Sequence, residues 1–475
     1  MIYLRQVGIQ TFVSRSGFAV VLQLPEEDEI MRSTRRTFLK GVGAAAGMAA
    51  LGNASALRGM GAQAAGKTTV TMWASPFVPG TSVDAPFYDS WLAKNAPTAL
   101  PNVRIPSDYG PGPYATMQSK YLVQARSGTP DIIEGLLENI VAYVKAGLIT
   151  PLNARFNAWP DHTQFVPASI NGLMYNGELL GVPYNTNARG MLYRKSILKK
   201  YGLKVPTTWD ELHNAAEVIS AKEQNMAGIA FSTDLNDPRG AQEWLSWFFQ
   251  LNKHMFKLDP ASKTWRLNTT PAQIARVNQF YYNLFYGSKT PAANIGTLGI
   301  SSYIEDPGYV HGSWAMVPMG PWIIGRRTQD SLAKHILSQD TGIAPLPVAP
   351  GGTHASYLEI KPWMLNKYSA HPDAAWDVIK FLASPRAMAY GVFVEGYTAP
   401  RRDVQNQPQI KNNWWTASFA EILPQGVALD PLNWAPVYTA IMTHLQAVLY
   451  KRVTPMQGAT ALYNQLKQLL AQGVL

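Results

Sequence analysis

Three observations predict an α/β fold with mostly parallel sheets. Short apolar, β-branched runs alternate along the chain with amphipathic helical stretches. The boundaries between them carry strong helix punctuation, such as Thr208-Trp209-Asp210-Glu211 and Gly128-Thr129-Pro130. The 475 residues, 47% hydrophobic and 15% charged, supply apolar material for two or three domains rather than a disordered chain.

Thr68 to Trp73 reads as a buried first strand. Tyr114 to Ser127 is a predicted helix with Tyr114, Met117, Tyr121, Leu122 and Ala125 on its apolar stripe. Gly128 stops that helix, and Pro130 prevents its return before the short strand Asp131-Ile132-Ile133. A second helix closes through Tyr143 to Ile149 before Pro151, and Gly181-Val182-Pro183 and Met191-Leu192-Tyr193 are extended. Thr208 and Glu211 form a capping box, because each side chain can satisfy the other's free amide. The helix they open runs to about Lys222, and the strand Gly228 to Phe231 follows. Pro372 opens a helix to Leu382, and Ser384-Pro385 starts another to about Phe393. Thr454-Pro455 starts the last helix, with Met456, Ala459, Tyr463, Leu466 and Leu470 at helical spacing.

Composition removes whole function classes. With no cysteine there is no disulfide framework, thiolate metal site, cysteine nucleophile or lipid-modified N-terminal cysteine. No apolar stretch of about 20 residues is free of charges or helix breakers, so no transmembrane helix is expected. The eight His show no His-x-x-x-His spacing and no Gly-x-Ser-x-Gly elbow occurs, which argues against zinc and serine hydrolases. Glu305-Asp306 is the one adjacent acidic pair that suggests a glycosidase. Neighbours in sequence rarely flank one bond, so a solvated loop is expected there.

Residues 1–66 read as an address. Thr34-Arg35-Arg36-Thr37-Phe38-Leu39-Lys40 follows the twin-arginine export pattern, the Gly/Ala-rich run Gly41 to Leu51 follows, and Ala54-Ser55-Ala56 and Ala62-Gln63-Ala64 are cleavage candidates. Met31 reads as the translation start, the alternative being a long charged leader. Gly61-x-x-x-x-Gly66-Lys67-Thr68 spells a phosphate-binding loop, but a strand rather than a helix is expected after it. Gly41-x-Gly43-x-x-Ala46 lies within the apolar run and is discounted as a dinucleotide fingerprint. The net charge of +10 falls to +7 beyond residue 66 and permits an anionic ligand without requiring one.

Seven collinear segments carry a family resemblance. They are Tyr121 to Leu152, with Gly-Thr-Pro-Asp-Ile-Ile and Ala-Gly-Leu-Ile-Thr-Pro-Leu; Gly177 to Pro183; Leu192 to Leu212; Gly312 to Met316 with Gly320-Pro321-Trp322; Gly342 to Pro347; Ala374-Ala375-Trp376; and Gly396 to Arg401. Together they resemble the family 1 extracellular solute-binding proteins of ABC importers, the maltose-binding-protein-like group. The resemblance implies a two-lobed periplasmic-binding-protein fold of type II, with ligand held in an interlobe cleft beside crossover hinge strands. Residues 67–187 and 354–396 map to one lobe, and 188–353 and 397–475 to the other, after an N-terminal extension and signal at 1–66. The implied function is non-catalytic: a monomeric periplasmic binder, exported by the twin-arginine pathway, that delivers a sugar or small oligosaccharide to membrane permease subunits. It needs no cofactor and no nucleic acid. A binder of glycerol 3-phosphate or another anionic polyol is the alternative, and an exported glycan-processing enzyme is the third reading.

All 14 tryptophans lie from Trp73 onward, and sugar rings stack on aromatic faces while their hydroxyls need polar rims. By resemblance, Trp322 is the residue stacking under sugar, Glu138 and Asn139 sit where relatives place polar ligands, and Trp434 is a cleft aromatic of the second lobe. Trp73 ends the first strand, where open sheets present ligand. Trp244 follows the Asp237-Pro238 turn, and Tyr184 and Asn185 occupy the first hinge. Tyr397 and Arg401 flank the last crossover, where Arg401 could clamp an anion. For each aromatic the competing reading is core packing. Trp73-Ala74-Ser75, Gly135 and Asn139 replace residues that the maltose binders use, so maltose itself is not the expected ligand.

Overall fold

Two sheets are joined by one long antiparallel ribbon in a computed structural model that describes residues 66–74, 86–112 and 114–475. The twin-arginine segment, the apolar run and the cleavage candidates lie outside the described residues. Strand Thr68–Thr69 follows Gly66-Lys67, so no helix N-terminus is present there to cradle phosphate.

The strands that build the two sheets are β1 (Met72–Trp73), β2 (Ile132–Glu134), β3 (Val182–Ala188), β4 (Gly190–Arg194), β5 (Ala227–Ile229), β6 (Trp314–Met319), β7 (Thr341–Ala344), β8 (Ser356–Leu365) and β9 (Gly426–Val427). The first sheet runs β9-β8-β2-β1, with β3 also paired to β8, and the second runs β7-β4-β6-β5. Both are mixed rather than mostly parallel. β1–β2, β5–β6 and β8–β9 pair parallel, while β2–β8, β3–β8, β4–β6 and β4–β7 pair antiparallel. The cause is the path of the chain. It leaves the first lobe along β3 and returns along β8, and an outward and a returning strand side by side must be antiparallel.

Each sheet is buried by pattern. In the second lobe Met191 and Met316 face one core, with the helices Trp209–Lys222, Pro238–Phe249 and Pro271–Tyr286. Their neighbours Leu192 and Val317 face another core with Ile336, Trp415 and Phe419. That is the period-two alternation of a sheet covered on both faces. The first lobe gathers Ile132, Ile133, Trp363 and Met364 with helices Tyr114–Gln124, Leu137–Lys145 and Pro372–Leu382.

Local structure follows the helix punctuation. Thr208 accepts the Glu211 N–H at 3.2 Å while the Glu211 carboxylate accepts the Thr208 N–H, also at 3.2 Å. Reciprocal boxes also open the helices at Thr270 and Thr454, and each N-cap is worth ~1 kcal/mol. Gly128 adopts φ +85°, and a Cβ there would meet the Tyr368 carbonyl at 2.8 Å.

Four expectations need correction. Leu122 (43% exposed) and Met456 (51%) lie off the buried stripes formed by Met117, Tyr121 and Ala125 and by Ala459, Leu462 and Leu466. Tyr397, Ala399, Val404 and Ile410 pack in the first-lobe core, whereas Trp415 and Phe419 pack in the second. The third passage between lobes therefore falls between Ile410 and Trp415, later than a boundary at 396/397. Glu305 and Asp306 are in no solvated loop: both are buried in the helix Ser302–Val310, whose partners supply cations.

Candidate functional site

The β3–β8 ribbon forms the floor between the lobes, and its register sorts polar from apolar. Asn187 pairs with Glu359 and Asn185 with Lys361, placing these four side chains on one face. A register shift between Lys361 and Pro362 then changes the phase. Beyond it Tyr184 stacks on Trp363 at 4.7 Å and meets Tyr397 edge-on at 6.1 Å, within the first-lobe core.

Arg189, between β3 and β4, is the centre of the polar face. It is 1% exposed, and its guanidinium donates to Asn187 and to Gln242 of the second-lobe helix Pro238–Phe249. It also lies 3.5 Å from the Glu359 carboxylate and 4.4 Å over the Trp322 ring. Its backbone N–H donates to Ser356 Oγ at 2.9 Å. One side chain thus ties both crossover strands to the second lobe.

Trp322 follows β6 in the turn-like helix Pro321–Thr328 and is half-buried. Arg239 lies over it at 4.3 Å, in addition to Arg189. Its indole N–H donates to Asp306 at 3.3 Å, and Asp306 also pairs with Arg239 at 3.2 Å and Arg326 at 3.3 Å. Two guanidiniums and one carboxylate therefore fix the ring.

Glu138 lies in the first turn of helix Leu137–Lys145 and is 2% exposed, and among the described residues neither carboxyl oxygen has a hydrogen-bond partner. Burial raises its carboxyl to about 8 and Glu359 adds to the rise, while its own backbone amide, Lys361 and Arg189 oppose it. The rise favours the protonated carboxyl near neutral pH, a form that can donate as well as accept. Burial also acts to raise Glu359, but Arg189, Lys361 and Asn187 outweigh it and hold that carboxylate below its ordinary value. Lys361 lies 3.4 Å from Glu134. In the second lobe, burial raises Glu305 to about 8, with Arg239 opposing. Burial and the facing Glu305 push Glu243 well above the carboxylate range.

The structure brings Glu138, Asn185 and Trp322 to this junction. Trp434 joins them through its backbone N–H, which donates to the Glu138 carbonyl at 3.1 Å. Its ring is 1% exposed, edge-on to Phe256, with its own N–H given to the Asp430 carbonyl. Asn139, one residue on from Glu138, is half-buried. Other expected ligand residues lie elsewhere. Trp244 is fully buried, stacked on Phe248 at 5.3 Å and bonded to Asn278, because every side of its helix is covered. Trp73 is packed in the first-lobe core against Gly110.

Arg401 is no anion clamp. Its guanidinium is 1% exposed and is consumed by Asp161, Asp403 and the Ala383 carbonyl, beside the Trp159 and Phe165 rings. Arg401→Ala should lower unfolding free energy by about 2 kcal/mol in urea titrations, through lost packing and hydrogen bonds. Ligand affinity should not change.

Sequence reasoning missed Arg189, Asn187, Glu359, Lys361 and Arg239. Asn185-x-Asn187-x-Arg189 and Glu359-x-Lys361 carried a signal: polar residues at spacing two on strands that also hold Val182, Ile360 and Met364. Among the described residues no group of three His, Asp or Glu is placed to hold a metal.

The geometry can be set beside known proteins. The profile of the family described as bacterial extracellular solute-binding protein matches residues 89–389. An uncharacterized ABC transporter extracellular-binding protein of Pyrococcus horikoshii is 25% identical over 285 residues, 55% of this chain and 59% of its own length. A probable ABC transporter-binding protein of Deinococcus radiodurans is 24% identical over 329 residues, 65% of this chain and 73% of its own. An arabinooligosaccharide-binding protein of Bacillus subtilis is 26% identical over 323 residues, 65% of this chain and 69% of its own. Among solved structures, maltose-bound MalE3 of T. maritima superposes with a TM-score of 0.73 at 22% identity, covering 85% of this chain and 100% of that one. A solute-binding protein of Thermotoga lettingae bound to α-D-tagatose gives 0.73 at 20% identity over the same shares.

Proposed function

This chain belongs to the bacterial extracellular solute-binding protein family, and from that premise we propose that it binds a neutral sugar or small oligosaccharide at the lobe junction. Membership makes it an extracellular binding protein of an ABC transport system and not an enzyme. The finer parts of the reading are that it is exported through Arg35-Arg36, acts as a monomer in the periplasm, and hands its ligand to permease subunits when the lobes close.

The observation that carries the sugar reading is the polar ribbon with Trp322 above it. Asn185, Asn187 and Glu359 offer amide and carboxylate groups suited to hydroxyls, and Glu138 in its protonated form offers both a donor and an acceptor. The sugars named for the T. maritima, Thermotoga lettingae and Bacillus subtilis proteins agree with it. The anionic alternative finds less support. Arg189, Lys361, Arg239 and Arg326 each already face a carboxylate at 3.2–3.5 Å.

A thermal-shift screen of sugars, polyols and sugar phosphates tests the proposal, since a bound ligand raises stability by mass action. A neutral sugar should give the largest shift. For that sugar, Trp322→Ala should weaken binding by about 100-fold in calorimetry, the scale of one buried aromatic anchor. A sugar phosphate as the best hit, or an unchanged affinity in the variant, would overturn the assignment.

A further inference from the structure

A pocket opens where the lobes meet, away from the Arg189 junction. Its volume is about 160 Å³, comparable to the ~150 Å³ cavity that takes up one benzene. Val392 and Phe393 line it from the first-lobe helix Pro385–Glu395, Ile324 and Arg327 from the second lobe, and Trp414 from the start of the helix Trp414–Ile422. None of these residues belongs to the junction cluster around Arg189.

Two aromatic side chains at this pocket are open to solvent: Trp414 is 45% exposed and Phe393 39%. Between them Arg327 is half-buried and spans the lobe boundary, donating to the Ile324 carbonyl at 2.9 Å and the Phe393 carbonyl at 2.8 Å. Among the described residues no carboxylate forms an ion pair with it, and burial alone lowers its pKa. A guanidinium has five N–H donors in a planar fork, so donors remain for a ligand. Asn413, whose side-chain oxygen caps the Trp415 and Thr416 N–H groups, has its amide nitrogen as a further donor.

We propose that this pocket is a second binding site for a small organic carboxylate carried on an aromatic or alicyclic ring. The ring would lie against Trp414 and Phe393, and the carboxylate would meet Arg327. A guanidinium bonded only to carbonyls asks for an anion, and the flanking apolar faces ask for a ring rather than bare phosphate. Because its walls come from both lobes, occupation favours one lobe arrangement. Its ligand and the junction ligand then change each other's affinity by the same factor.

The test titrates the purified chain with sodium benzoate, and with benzamide as the uncharged counterpart, by calorimetry and tryptophan fluorescence. Benzoate should bind saturably, with benzamide weaker by about tenfold or more. Trp414→Ala, an exposed change that spares the core, should weaken benzoate by a similar factor. Arg327→Lys should also weaken it by losing the planar fork, and Trp322→Ala should leave it unchanged. Absent benzoate binding, equal binding of the two probes, or full binding to Trp414→Ala would each overturn the site. Benzoate lost in Trp322→Ala but kept in Trp414→Ala would place it at the junction and overturn it too. The sugar screen is read separately, so either reading can fail alone.

Discussion

Arg189→Ala is expected to cost about 3–5 kcal/mol of stability, the range for removing one partner of a buried ion pair. The guanidinium is the group that Asn187, Gln242, Glu359 and Trp322 share, and nothing else can replace it from solvent. Its loss leaves Glu359 (5% exposed) with Lys361, Arg239 and the Asn187 amide as its remaining compensation. Arg189→Ala combined with Glu359→Gln should recover part of the loss, because the stranded charge is gone. Urea unfolding of the two singles and the double measures this. A loss below about 1 kcal/mol in Arg189→Ala would mean that the junction does not depend on the pair.

The second large effect is a stability that falls as pH rises. Glu138 ionises near its ordinary 4.5 when unfolded but at about 8 when folded. Between those values the folded chain keeps a proton that the unfolded chain has released, so the native state is favoured at the acid end. The contribution of Glu138 is complete below about pH 4.5 and is lost progressively up to about pH 8. It amounts to a few kcal/mol across that window. Glu305 at about 8 and Glu243 act in the same sense. Glu359, whose pKa is lowered, acts oppositely, its stabilisation being lost as pH falls through its folded value. Glu138→Gln should therefore be more stable than the parent at about pH 8, with a shallower slope from about pH 5 upward. Identical slopes in ligand-free urea titrations would refute the assignment.

How legible was this in the residue string? Helix punctuation was, because a capping box or a proline after a stop is a local transaction between residues three or four apart. Thr208–Glu211 and Pro372–Leu382 needed no tertiary context. The site was legible only in part. A tryptophan contributes the same apolar surface to a core as to a cleft, so Trp244 and Trp322 look alike in sequence, yet one is enclosed by its helix neighbours and the other held by arginines. Arg401 was misread for a related reason: its partner Asp161 is 240 positions away. Sheet direction was hidden because it depends on where the chain turns back, which no short window records.

The ribbon of β3 and β8 also bears on how the chain comes to be made. Asn187 and Glu359, which face each other across it, are 172 positions apart, and β8 pairs in turn with β9 at Gly426–Val427. The second sheet has all its strands once Ala344 is made, but the first is complete only after Gly426–Val427. Pairings this distant in sequence must overcome loop-closure entropy before they gain anything, which slows folding. A nascent chain halted before residue 356 lacks the strand that both β2 and β3 pair with. Folding here is a late event, completed by the last third of the polypeptide.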